Sequence, residues 1–552
     1  MFDWTRAPRR DRPAMKRGRR TLVPGVSGLE PRLLMAVDVL TYHNDNARTG
    51  ANPSEVALTP QTVKAATFGR LAGAVVDGQA YAQPLVKTGV TVPGVGVRNV
   101  VYVATEHDSV YAFDADTLAP LWHDSFINPA AGVTTVPSGD VKTSDLYPEV
   151  GITSTPVIDP ATSSLYVVSQ VKVTAPGAPP QYMHQLHALD LGTGAETHGG
   201  PVVIQASVPG RGSGAVKGRV AFQSQWENQR AALTLVDGVV YAAFASFGDN
   251  GPYHGWVLGY DAASLKQVAA FNATPNGSKG GIWMSGAGLS ADSSGALYLT
   301  SGNGTFRSAR VQGDYGDTVV KLAPGPAGLT VTDYFTPSNQ AYLQRRDLDL
   351  GSGGILLLPD QAGDHPHVMI TGGKEGRILV IDRDHLGKSA KKDKTVEQLS
   401  GAMPSIFSTP AYFNGTVYYV GTTQRTQTSP GGGDLLRAYS VVNGRLAATP
   451  KLGGYLYGYP GASPSVSSSG ASGGIVWTLD SGGPVRTSVP GVLRAYDASD
   501  VSRELYDSTQ AGGRDGAPVY VKFSVPTVAN GKVYAAGSGA LLMYGLLKQK
   551  GA

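Results

Sequence analysis

The sequence predicts an all-β protein: an eight-bladed β-propeller of four-stranded blades, the last blade closed by a strand from the N-terminal side. Three observations predict it. One phrase recurs eight times: a strand, a tight Asn-Gly or Asp-Gly turn, a strand carrying tyrosine, and a strand ending in Ala-aromatic-Asp. Its clearest openings are Val236-Asp237-Gly238-Val239-Val240-Tyr241, Phe413-Asn414-Gly415-Thr416-Val417-Tyr418 and Ala529-Asn530-Gly531-Lys532-Val533-Tyr534. The 552 residues include 72 glycines and only 16% charged residues against 41% hydrophobic, a balance poor in helix-surface charge. Finally, the last unit ends at Leu546 after three strands, while Phe68-Gly69-Arg70-Leu71-Ala72-Gly73-Ala74-Val75 stands as an orphan strand before the first.

First strands often follow a proline, as at Pro156, Pro410, Pro464 and Pro526, where a residue without an N–H costs the ladder nothing. Second strands run through Val101-Tyr102-Val103, Leu165-Tyr166-Val167, Val240-Tyr241-Ala242, Leu297-Tyr298-Leu299, Val368-Met369-Ile370, Val417-Tyr418-Tyr419, Ile475-Val476-Trp477 and Val533-Tyr534-Ala535. Each pairs with a third strand, from Val110-Tyr111-Ala112-Phe113-Asp114 to Leu541-Leu542-Met543-Tyr544, through period-2 alternation and short turns. Fourth strands are looser, for example Leu121-Trp122 and Val268-Ala269-Ala270-Phe271. The orphan strand is expected to complete the eighth blade and so remove an open sheet edge. Upstream, Thr59-Pro60-Gln61-Thr62-Val63 reads as a short helix with Thr at the N-cap and Pro at N1.

The expected organisation is a basic leader over 1–36, a loop and short helix over 37–66, the propeller over 67–548 and a tail over 549–552. The leader holds nine Lys/Arg against three acids, a net of +6, so the remainder of a chain with net charge +4 carries −2. A nearly neutral body has no basic face and argues against a nucleic-acid partner. Zero cysteines exclude disulfides, thiolate catalysis, Cys-based metal sites and covalent haem attachment. No apolar run reaches the 18 residues of a membrane-spanning helix. The segment Leu29-Glu30-Pro31-Arg32-Leu33-Leu34-Met35 resembles the Leu-Glu-Pro-Arg-x-Leu-Leu stretch of exported bacterial proteins, which implies a periplasmic, extracellular or cell-surface location.

Tyrosine on the second strand followed by Ala-x-Asp on the third resembles the pyrroloquinoline-quinone (PQQ) repeat of quinoprotein alcohol dehydrogenases, over roughly residues 67–548. Gly280-Gly281-Ile282-Trp283 and Thr300-Ser301-Gly302-Asn303 look like segments in which a Trp stacks on the quinone and an Asn ligates calcium. Thr336-Pro337 leading to Asp347-Leu348-Asp349 resembles the stretch carrying the catalytic base, with some extra residues between and either aspartate able to match. Gly373-Lys374-Glu375-Gly376-Arg377 resembles the segment whose Lys or Arg binds the quinone oxygens. The resemblance therefore implies Asp349 or Asp347 as catalytic, Trp283, Asn303 and Lys374 as cofactor-binding, and Asn303 as a metal ligand. Blade two offers no calcium-binding glutamate in Val168-Ser169-Gln170-Val171-Lys172-Val173; Glu149 is the candidate substitute.

Three functions follow. The first is a ligand-binding or scaffold propeller with a partly retained cofactor pocket, since such folds also serve as scaffolds. The second is a PQQ- and calcium-dependent dehydrogenase of alcohols or sugars. The third is a glycan-binding or glycan-active propeller, which requires Trp226, Trp256 and paired carboxylates to cluster at the rim. Glu106-His107-Asp108 reads as a charged hairpin cap, Phe247 to His254 as a turn with rim contacts, and His365-Pro366-His367 as surface. Gln225 to Arg230 suits a polar ligand or a structural loop equally. The polar run Tyr42 to Gly50 reads as an ordered loop packed on a blade.

Overall fold

The computed structural model describes residues 36–308, 313–423, 432–481 and 489–548; the export-type leader and the C-terminal tail lie outside them. Eight antiparallel blades follow one another, each with the strand order of its sequence. Blade one is Leu85–Val92, Gly96–Ala104, Ser109–Asp114 and Pro120–Ser125. Blade four is Ser290–Ala291, Leu297–Thr300, Val319–Gly325 and Gly328–Thr336, and blade five is Leu356–Leu357, Val368–Gly372, Ile378–Asp382 and Glu397–Leu399. The predicted hairpin turns have the primed geometry that two-residue loops demand: Asp237, Asn414 and Asn530 have φ of 49°, 45° and 54°, each followed by a glycine with φ near 75°. Closure is as predicted. Phe68–Gln79 pairs antiparallel with the last strand, Phe68 opposite Leu546 and Ala74 opposite Leu541.

The repeated phrase is an inter-blade latch. The hydroxyl of Tyr102 in blade one donates to the carbonyl of Leu191, the residue after Asp190 in blade two, at 2.9 Å. Tyr166 does the same to Ala262 after Asp261, Tyr418 to Ala498 after Asp497, and Tyr534 of blade eight to Ala115 after Asp114 of blade one. Meanwhile the aspartate caps its own turn: Asp190 Oδ1 accepts from the amides of Gly192 and Thr193, and Asp114 Oδ1 from those of Asp116 and Thr117. A buried hydrogen bond of this kind contributes about 1 kcal/mol, and these four tie blade one to two, two to three, six to seven and eight to one, whereas Tyr298 of blade four donates to Asp292 of its own blade. Apolar residues fill the seams; between blades two and three Tyr166, Leu186, Phe244, Trp256 and Leu258 form one core cluster.

Two expectations change. Thr59 to Val63 is a single turn, not a helix: the Thr62 amide does donate to Thr59 Oγ1 at 3.3 Å, but the chain leaves helical geometry after one turn. Nor does the Tyr42 to Gly50 region pack on one blade. Residues 39–52 bond to the first strands of all eight in order: Val39 to Val86, Leu40 to Ile158, Asn46 to Leu235 and Ala291, Ala47 to Leu357, Thr49 to Tyr412, Gly50 to Val466 and Asn52 to Val528. First strands expose an unpaired inner edge, and this segment supplies the missing partners.

Candidate functional site

Loops between blades and turns between second and third strands converge on one face, where they line a cavity of about 330 Å³. Trp283, Asn303, Lys374, Asp347 and Asp349 all line it, with Arg230, Asp249, Tyr253, Phe407, Tyr459 and Phe523 among their neighbours. The extra residues before the two aspartates form the short helix Gln340–Arg346, and Asp347 stops it in a left-handed conformation with φ 56°. That helix end turns the chain inward. Asp349 is 8% exposed, whereas the Asp347 side chain is 59% exposed.

The inner carboxylate is held on two sides. Asp349 Oδ1 accepts the backbone N–H of Asn303 at 2.6 Å, and Asp349 Oδ2 faces Lys374 Nζ at 2.6 Å. Lys374 Nζ also reaches Asp347 Oδ2 at 3.2 Å, and Asn303 Nδ2 donates to Asp347 Oδ1 at 2.6 Å. Gly302 is required at this approach, because a Cβ there would stand 2.7 Å from Asp349 Oδ1. Burial pulls the Lys374 pKa down, but the charges of Asp349 and then Asp347 outweigh it and leave it raised, so the ammonium stays charged. Lys374 Nζ lies 5.8 Å from the centroid of the half-buried Trp283 ring. Asn303 Oδ1 is buried with no hydrogen-bond donor.

Asp317 escaped the sequence reading. It is fully buried, its amide donates to Gly302 O, its Oδ1 accepts from the Leu350 amide at 3.2 Å and its Oδ2 from Gln340 Nε2 at 3.3 Å. One side chain thus ties the Asn303 turn, the Asp349 loop and the short helix. Burial, then the charge of Asp349, pushes it up to about 8. An aspartate with a folded pKa above its unfolded value of about 3.9 stabilises most when protonated, and that stability is lost as pH rises from about 4 to about 8. In Asp317→Asn, chemical denaturation at several pH values is expected to show a shallower decline across that window, by at most about 1.4 kcal/mol per pH unit.

Other candidates fall elsewhere. Glu149 is not among the cavity-lining residues; its oxygens bond His107 Nδ1 at 2.9 Å and Thr135 Oγ1 at 2.7 Å. Trp256 is fully buried in blade three, its indole N–H donating to Glu227, so it cannot join Trp226 at a rim as the glycan reading required. Phe247, Gly248, Asp249 and Tyr253 line the cavity, as expected for a turn with rim contacts. His365 and His367 are half-buried or exposed partners of Asp382 and Asp384. Among the described residues, no three of His, Cys, Asp and Glu form a metal-ligand group, and no helix is long and apolar enough to cross a membrane.

The fold is that of the eight-bladed propeller of PQQ dehydrogenases. The quinohemoprotein alcohol dehydrogenase of Comamonas testosteroni superposes with a TM-score of 0.58 at 14% identity, over 93% of this chain and 82% of that one. The quinohemoprotein alcohol dehydrogenase ADHIIG of Pseudomonas putida HK5 gives 0.58 at 14%, over 93% and 81%. A europium-containing methanol dehydrogenase gives 0.55 at 12%, over 92% and 98%. At these identities the likeness is one of fold. No family model matches the chain, and no curated protein sequence does.

Proposed function

We propose that the cavity binds a planar, anionic quinone of the PQQ type against Trp283, and that the protein is an exported dehydrogenase of alcohols or sugars. One observation carries this: Trp283, Asn303, Lys374 and Asp349, predicted from four separate segments, line a single cavity. The residues fit such a group. Trp283 offers a ring face to the cavity, Lys374 a charged donor beside that face, and Asn303 Oδ1 an unpaired oxygen of the kind a hard cation takes. When bound, the quinone supplies an electrophilic carbonyl as hydride acceptor, which calcium polarises.

The chain's own residues supply positioning and proton chemistry. Asp349 receives the substrate hydroxyl proton on a carboxylate oxygen, as a general base fixed by the Asn303 amide and by Lys374. Lys374 holds the Asp349 carboxylate in place and donates to ligand oxygens. The aromatic wall of Phe407, Tyr459, Tyr253 and Phe523 limits water around the reacting groups.

A ligand-binding role without turnover is the second reading, favoured by the placement of Glu149 and by Lys374 already pairing with both aspartates. Titration of the purified protein with PQQ and calcium separates the two. Quenching of tryptophan fluorescence that Trp283→Phe removes, together with dye reduction by alcohols or sugars, is the expected result. Quenching without dye reduction leaves the binding role, and the absence of both signals refutes the dehydrogenase.

A further inference from the structure

The Glu106-His107-Asp108 turn, predicted to be a charged hairpin cap, is buried in the seam between blades one and two: Glu106 is 1% and Asp108 0% exposed. Each carboxylate commits one oxygen to the protein. Glu106 Oε2 accepts from the Gly151 amide at 2.8 Å and Thr153 Oγ1 at 3.1 Å, and Asp108 Oδ1 from the Gln170 amide at 3.2 Å. The other two oxygens, Glu106 Oε1 and Asp108 Oδ2, are buried with no donor.

Neutral oxygens tied to the same two residues share that condition. Gln170, the donor to Asp108, is 1% exposed, gives its side-chain N–H to Ser224 O, and leaves its Oε1 unpartnered. Ser154, adjacent to the Thr153 that bonds Glu106, is 1% exposed with its Oγ unpartnered; Gln79, whose carbonyl accepts the Glu106 amide, leaves Oε1 unpartnered as well. Surrounding charge is mostly of one sign: Glu149 and Asp77 act on Asp108 together with Glu106. Arg230, the cation acting on Glu106, makes its own contacts to Ser285 O and the Tyr81 and Phe523 rings, and the His107 ring bonds Glu149. Among the described residues no ion pair reaches Glu106 or Asp108. Burial pushes Glu106 up to about 7 and Asp108 well above the usual carboxylate range. Ionised with no ion-pair partner, such buried carboxylates cost several kcal/mol each, which is why both are pushed up; a bound cation removes that cost, and an all-oxygen donor set suits a hard cation better than zinc.

We propose that Glu106 and Asp108, completed by the Gln170 and Ser154 oxygens, bind a hard divalent cation of the calcium class in this seam, separately from the Asn303 group. With two carboxylates and otherwise neutral ligands, affinity falls at the weak end, a dissociation constant of about 10⁻⁴–10⁻³ M. The test is equilibrium dialysis of EDTA-treated full-length protein against radioactive calcium, without quinone. Binding is expected in the wild type and in Asp349→Asn, lost in the Glu106→Gln/Asp108→Asn double variant, and weakened about tenfold or more in Gln170→Met. Calcium binding unchanged in the double variant, or no binding by the wild type up to about 10 mM, overturns the proposal. Should the double variant not fold, unchanged affinity in Gln170→Met overturns it equally. Because none of these measurements needs the quinone, they fail or succeed independently of the dehydrogenase reading.

Discussion

Replacing Asp349 by asparagine is expected to lower dye-coupled turnover by about 10²–10⁴-fold, the range a positioned general base supplies, while PQQ-induced quenching of Trp283 survives. Asparagine preserves the shape that accepts the Asn303 amide at 2.6 Å, so the loop stays in place and the lost function is the proton acceptor. Asp347→Asn is expected to cost less than about tenfold. The asymmetry follows from position. Asp349 is buried against the Asn303 turn and 2.6 Å from Lys374, whereas Asp347 caps the helix with an exposed side chain and a longer 3.2 Å contact to the same ammonium. Stopped-flow reduction of the dye, with quinone content measured for each variant, separates lost chemistry from lost binding. Equal losses in the two variants would assign the base to neither residue alone and point to a shared charge with Lys374.

The sequence already contained the blade boundaries because each is set locally. Turn residues such as Asn414-Gly415 and Asn530-Gly531 need positive φ wherever they occur, and period-2 alternation marks the strands on either side. Part of the cavity lining was legible through the resemblance of short segments: those of Trp283, Asn303 and Lys374 carry their own patterns, and the three residues line one cavity where blades four and five adjoin. What could not be read was whatever depends on distant partners. Which aspartate faces inward was decided by the helix Gln340–Arg346, whose length shifted the register of Asp347 and Asp349. Asp317 looks like an ordinary turn residue in Gly316-Asp317-Thr318 until Leu350 and Gln340 dock on it. Glu106 and Asp108 have the composition of a solvated turn; only the packing of Gly151 and Gln170 from blade two buries them.

The second large effect is expected at Arg48, in the segment that touches every blade. Arg48 is fully buried, and its guanidinium donates to Leu289 O from Nε at 3.1 Å and Nη2 at 2.8 Å, to Thr41 Oγ1 and Tyr42 O from Nη1 at 2.8 Å each, and to Thr234 Oγ1 from Nη2 at 2.7 Å. Burial brings its pKa down to about 10, still high enough to keep the charge at neutral pH. Arg48→Met removes all of these donors at once: the buried Tyr42 carbonyl loses its donor and the Leu289 carbonyl keeps only the Thr234 hydroxyl at 3.1 Å. With about 1–3 kcal/mol for a group left unsatisfied and about 1 kcal/mol for each further hydrogen bond lost, a loss of about 3–5 kcal/mol is expected. The denaturant midpoint should fall while the slope stays unchanged, because the surface exposed on unfolding is the same. Lysine is not expected to rescue it: a single ammonium cannot span the Leu289 carbonyl at the start of blade four, the Thr234 hydroxyl in blade three and the segment's own turn from one rigid plane. If Arg48→Met were instead neutral, the ring of bonds from Val39 to Asn52 would be a consequence of closure already secured by Phe68–Gln79. A large loss makes the inner segment a second clasp, acting at the axis as the outer strand acts at the rim.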